Sequence, residues 1–165
     1  MFQRYVQFLR AVVGYLWDRD FGKLQYVFGS RWNGRVYFAP LSRELLLEIR
    51  ADSRGPTPDQ RTAYREFESH FEEIWPEIQE RLYDQYQAIC ESHPDHADRP
   101  KIVTSDEILT VLWPFAVDIL SSSTIDLLFA SDFDEHGGNQ CFHVYVHGMS
   151  VDDVRWERAT DRSFF

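Results

Sequence analysis

The chain has 165 residues, 44% of them hydrophobic and 16% aromatic, and a formal net charge of -10 from 17 Lys+Arg against 27 Asp+Glu. That length and apolar content fit a single domain, 1–165, with its own core. The negative charge opposes direct binding to a nucleic-acid backbone and favours a basic partner. Two cysteines, Cys90 and Cys141, are too few for a disulfide framework and lack metal-ligand spacing, which points to a reducing, cytoplasmic setting.

Phe2, Tyr5, Val6, Leu9, Val12, Val13, Leu16 and Trp17 recur at helical spacing and predict an amphipathic helix over residues 1–18. Arg4 and Arg10 interrupt the apolar run and no small-residue cleavage site follows, so this segment does not read as a signal peptide. Its apolar face either packs on the domain or is offered to a membrane surface or a partner. No run approaches ~18 uninterrupted apolar residues, so no membrane span is expected.

Residues 21–51 read as a three-stranded meander. Leu24, Tyr26 and Phe28 alternate with Lys23, Gln25 and Val27, and Leu45, Leu47 and Ile49 alternate with Leu46, Glu48 and Arg50. Between them Asn33-Gly34 predicts a hairpin turn, because both residues tolerate positive φ.

Thr57-Pro58-Asp59-Gln60 has the form of a helix start, with Thr57 as N-cap and Gln60 closing a capping box. The apolar stripe Tyr64, Phe67, Phe71, Ile74, Ile78, Leu82 and Ile89 then predicts one long helix over 57–91, kinked at Pro76. A polar loop, 92–100, follows. Thr104 and Glu107 open a short helix over 104–113, which Pro114 ends, and residues 115–157 read as C-terminal strands. The expected fold is α+β: an antiparallel sheet of about six strands with a long kinked helix and shorter helices packed on one face.

The most specific signal lies on the long helix. Glu66, Glu73, Glu77, Glu80, Asp84 and Glu91 are spaced 7, 4, 3, 4 and 7 residues apart, nearly opposite the apolar stripe. Nine acids and three arginines, Arg61, Arg65 and Arg81, fall between Asp59 and Glu91. Like charges at i,i+3 and i,i+4 cost a helix roughly 0.2–0.5 kcal/mol per pair. The stripe is either a solvated face or a surface that steers a basic protein inward, with neighbouring exposed aromatics as anchors.

A second candidate is the loop and strand Ala130–Gly148. Asp132, Asp134, Glu135 and His136 precede Gly137-Gly138, a composition that suits a strand connection as well as a site. With His143 they form the alternative metal-binding set of a metal-assisted hydrolase. His143 and His147 are about 13 Å apart along a strand and cannot readily grip one ion. Cys141 shares a strand face with His143 and is a candidate nucleophile. Neither a Gly-x-Ser-x-Gly elbow nor a phosphate or dinucleotide loop occurs, so no catalytic residue is assigned and no cofactor is expected.

Gly55-Pro56-Thr57-Pro58-Asp59-Gln60-Arg61, the long helix ending near Tyr83–Tyr86, the Ile102-Val103-Thr104-Ser105 entry and Glu135-His136-Gly137 follow one another in that order. Over residues 20–157 this resembles a group of small bacterial domains of unknown function that often carry Trp-Asp-x-Glu-His-Gly at the last point. Here Phe133-Asp134-Glu135-His136-Gly137 has Phe for the Trp and lacks the spacer. Some members sit beside polymorphic toxins and are suspected immunity proteins, and the resemblance implies an α+β fold and a binding role. The resulting expectation is a non-enzymatic acidic binding protein, an immunity-type inhibitor docking on a basic protein such as a toxin. The alternatives are the metal-assisted hydrolase and an acidic mimic of nucleic acid.

Overall fold

In the computed structural model the described residues are 14–27, 29–92, 99–131 and 140–158. They form one eight-stranded sheet whose spatial order follows the chain: β1 (Tyr15–Asp18), β2 (Gly22–Val27), β3 (Arg31–Phe38), β4 (Arg43–Arg50), β5 (Leu112–Ile119), β6 (Thr124–Ser131), β7 (Gln140–His147) and β8 (Ser150–Arg158). Neighbours are antiparallel except β4 and β5, which pair in parallel from Leu46↔Ala116 to Ile49↔Ile119. That junction needs a crossover, and residues 51–111 supply it with α1 (Pro58–Ser69), α2 (Phe71–Ser92) and the 3₁₀ turn η2 (Ser105–Thr110). A shorter 3₁₀ turn, η1 (Ala39–Leu41), joins β3 to β4.

This corrects the expected architecture. The sheet is mixed, has eight strands instead of about six, and holds more of the described residues than the helices do. The single long helix kinked at Pro76 is two helices. His70 leaves the helical region (φ -109°, ψ 11°), its N–H donates to the Glu66 carbonyl at 3.0 Å, and its own carbonyl accepts from Glu73 N at 3.0 Å as α2 begins. One non-helical residue barely changes the phase of a 3.6-residue period, so the apolar spacing ran straight across the break. Pro76 lies inside α2. Tyr15–Asp18 is strand, not the end of a helix over 1–18, and residues 1–13 lie outside the described ones.

Asn33-Gly34 is not a turn either. It sits within β3, where Asn33 pairs with Glu48 and Gly34 with Leu47. The chain reverses instead around Gly29 (φ 95°) and Ser30 (φ 64°). Gly34 is required by close approach: a Cβ there would stand 2.7 Å from Leu24 Cδ2 and 3.0 Å from the Lys23 carbonyl oxygen.

Alternation along the strands sorts the sheet into two faces. Leu24, Phe38, Leu47, Val117, Leu127 and Val144 point to the helices and meet Tyr64, Phe67, Phe71, Ile78, Leu82 and Tyr86. Burying each large side chain contributes about 1.5–3 kcal/mol. Aromatic rings join the layers: Phe38 stacks on Phe67 at 5.6 Å and meets Phe71 edge-on at 4.9 Å, and Trp75 links Phe71 to Phe129. The Thr57–Gln60 capping box forms, and Gln60 Nε2 also donates to the Arg50 carbonyl at 2.8 Å, tying the start of α1 to the end of β4. Past α2, Tyr83, Tyr86 and Gln87 donate to the carbonyls of Val103, Pro100 and Ile102, clamping the return segment along the helix.

The edge strand β1 is fastened by charge. Arg61 on α1 donates to the buried Asp18 at 2.7 and 3.0 Å, and Arg65 reaches Asp20 at 3.1 Å. Burial pushes the Asp18 carboxyl up, but the Arg61 hydrogen bonds, the Asp20 and Phe21 amides and the Arg61 charge together hold it below its ordinary value of 3.8. The other edge is β8, which bulges against β7 between Tyr145 and Val146.

Two outcomes follow from this packing. Gly34→Ala is expected to lower unfolding free energy by about 1–3 kcal/mol in urea titrations, because the methyl group must displace a fully buried leucine and a neighbouring carbonyl. Asp18→Asn is expected to cost about 2 kcal/mol at neutral pH. Because the folded carboxyl titrates below the unfolded one, the wild-type advantage is fully present above pH 3.8 and fades as pH falls through the depressed folded value. Urea titrations from neutral to acidic pH measure that gap.

Candidate functional site

Two surfaces carry candidate chemistry. The first is the outer face of the helix layer. Glu66 lies on α1, whereas Glu73, Glu77, Glu80, Asp84 and Glu91 lie on α2. All are exposed except the half-buried Glu77, whose Oε1 accepts from Arg81 at 2.6 Å. Among the described residues no lysine or arginine side chain forms an ion pair with the other five. Arg61 and Arg65, the remaining cations of α1, are turned to Asp18 and Asp20 on the sheet edge. The arginines of α1 are thus held at the sheet edge, Arg81 of α2 pairs with Glu77, and the other five acids face water.

The expected aromatic anchors are elsewhere. Tyr15, Trp17 and Tyr37 are the most exposed aromatic side chains, and strand alternation puts them on the sheet face away from the helices. Beside α2 the exposed apolar groups are Val103, whose carbonyl Tyr83 holds, and Leu109 on η2.

The second surface is that opposite sheet face, on which no described helix lies. Its cross-strand register lines up Asn33, Glu48, Asp118, Asp126, Tyr145 and Asp153 in one row over β3 to β8. Glu48, Asp118 and Asp126 are buried, and Arg31 pairs with Glu48 at 3.5 Å. Glu48 and Asp118 line a cleft of about 650 Å³ at the carboxyl ends of the parallel strands, together with Arg31, Arg50 and Asp52.

Beside that row, β7 projects Cys141, His143 and Tyr145 away from the helices, while Phe142, Val144 and Val146 enter the core. Cys141 and His143 are buried rather than solvated. His143 Nδ1 lies 2.7 Å from Asp126 Oδ2 on β6, and its Nε2 lies 3.2 Å from Cys141 Sγ. The Tyr145 ring stacks on the imidazole at 5.9 Å, and its hydroxyl donates to Glu157 Oε1 at 2.9 Å. Burial, then the nearby Asp126 charge and the Glu157 hydrogen bond, push the Tyr145 hydroxyl above its ordinary range, so it stays a donor.

Most of the metal-binding alternative, Asp132, Asp134, Glu135 and His136, falls outside the described residues. Both ring nitrogens of His143 have partners within the sheet, Asp126 and Cys141. Among the described residues no three His, Cys, Asp or Glu side chains are grouped to hold a metal. Sequence reasoning passed over Asp126. Its local signal was a lone carboxylate inside the apolar run Ile125-Asp126-Leu127-Leu128-Phe129, and Asp118 and Glu48 carry the same mark in their strands.

The chain belongs to the family described as Domain of unknown function (DUF6985), which matches residues 20–132. The match takes in β2 to β6 and both helices, hence the acidic face and Asp126, and stops before Cys141 and His143. No curated protein and no solved structure matches the chain. Among the described residues no helix is long and apolar enough to cross a membrane.

The acidic face leaves a signature in stability. Glu80 stands three residues after Glu77 and four before Asp84, so Glu80→Gln removes two like-charge pairs. The substitution is expected to raise unfolding free energy by about 0.5 kcal/mol in low salt and by less as salt is added, in paired urea titrations.

Proposed function

We propose that the protein is a binding protein of immunity type, which docks the acidic face of α2 on a basic partner such as a bacterial toxin and blocks it. The observation that carries this reading is the exposure of Glu66, Glu73, Glu80, Asp84 and Glu91 with no lysine or arginine ion-paired to them among the described residues, while the arginines of α1 are held at the sheet edge. A helix shaped by stability alone would interleave opposite charges, and each uncompensated like-charge pair here costs free energy. Complementary charge speeds encounter by roughly 10–10³-fold and rejects partners of the wrong sign. Val103 and Leu109 flank the helix and supply apolar contact once the charges have aligned the two surfaces. Two cysteines outside any disulfide fit a cytoplasmic location. The bacterial setting and the toxin as partner come from the resemblance to immunity-associated domains.

The test is binding of the purified protein to the product of the gene beside its own, by calorimetry and stopped flow at two salt concentrations. Reversing Glu73, Glu77, Glu80 and Asp84 to lysine is expected to cut affinity at least about a hundredfold, mainly through the association rate, and to flatten the salt dependence. Unchanged affinity with unchanged salt dependence would discard the reading.

A further inference from the structure

The array on the sheet face away from α1 and α2 has the order of an activated nucleophile: thiol, imidazole, carboxylate. Cys141 Sγ stands 3.2 Å from His143 Nε2, and His143 Nδ1 stands 2.7 Å from Asp126 Oδ2. In the tautomer whose Nδ1 donates to the Asp126 carboxylate, Nε2 turns its lone pair to the thiol. Two adjacent strands fix this alignment. Leu128 is opposite His143 and Asp126 is opposite Tyr145, so the imidazole lies along β7 with Cys141 at one end and the Asp126 carboxylate at the other. Tyr145 covers one side of the ring. A thiol placed only to fill space needs neither partner.

Burial selects what can react there. Cys141 and His143 are each 3% exposed and Asp126 2%, which shuts out a peptide or any bulky electrophile and restricts reaction to a molecule of a few atoms. We propose that Cys141 is an oxidation site for small peroxides, with His143 as its acid–base partner and Asp126 as a positioning residue. As Sγ attacks one peroxide oxygen, the thiol proton passes to His143 Nε2, the S–O bond forms and the O–O bond breaks. Nε2 then returns the proton to the leaving oxygen. With hydrogen peroxide the products are the Cys141 sulfenic acid and water; sulfur loses two electrons and the peroxide gains them. The inference is independent of the docking face, which lies on the other side of the sheet.

The test treats the full chain with hydrogen peroxide, native and in denaturant. The thiol remaining at each cysteine is read by alkylation after a denaturing quench and mass spectrometry. Cys90, a free thiol outside the array, is the internal reference. Cys141 is expected to oxidise at least about tenfold faster in the native protein than in the denatured chain. His143→Gln and Asp126→Asn are expected to abolish that advantage with the Cys90 rate unchanged. The direction of change separates chemistry from packing: a variant that merely loosens the sheet exposes the thiol and speeds its oxidation, whereas loss of the base slows it. A native Cys141 rate at or below the denatured rate overturns the proposal even where the variants fail to fold. So does fast oxidation that survives His143→Gln.

Discussion

The parallel pairing of β4 with β5 is the constraint on which the rest of the structure depends. Every other neighbouring pair is antiparallel and needs only a turn or short loop. Parallel neighbours must be joined by a chain that travels back the full length of the strand, and here that chain carries both helices. Placing the whole crossover on one side packs one face of the sheet on both helices, while the other, on which no described helix lies, carries a small apolar patch around Ala116 and Leu128. The first became the core. The second accommodates polar side chains that a face packed on helices could not, including the row of carboxylates and the imidazole beside it.

Charge follows the same division. Arg61 and Arg65 lie on α1 yet serve the sheet, holding the short strand β1 through Asp18 and Asp20. Without them the helix pair keeps one paired cation, Arg81, against a file of acids. The same arginines that fasten the edge thereby leave the outer helical surface negative, and the proposed docking role uses a field that the fold's own stabilisation helps to create.

Features set by neighbours in sequence were legible beforehand. The period-2 patterns of Leu45–Ile49 and Phe142–Val146 marked strands and their core faces, and the Thr57 capping box marked the start of α1. Features set by distant contacts were not. Asn33-Gly34 has the local chemistry of a turn, but the passage of Leu24 against β3 demands a residue without a side chain there. Tyr15-Leu16-Trp17-Asp18 is too short to reveal alternation, and its partner is a strand that follows it. The acids of α2 were visible because helical spacing is local. Asp126 was not, since its meaning depends on a histidine 17 residues away on the next strand. Cys141 and His143 were seen as neighbours on one face, and their burial was not.

Among the described residues the sheet ends at β1 and β8, and β8 is nine residues long. A second molecule could lengthen the sheet there and begin a fibre. Asp152, Asp153, Arg155 and Glu157 are crowded along it, and the bulge opposite Tyr145 and Val146 spoils the straight line a newcomer would need. Polymerisation would have to strip water from those ions and flatten that kink, so the same strand that completes the sheet also terminates it.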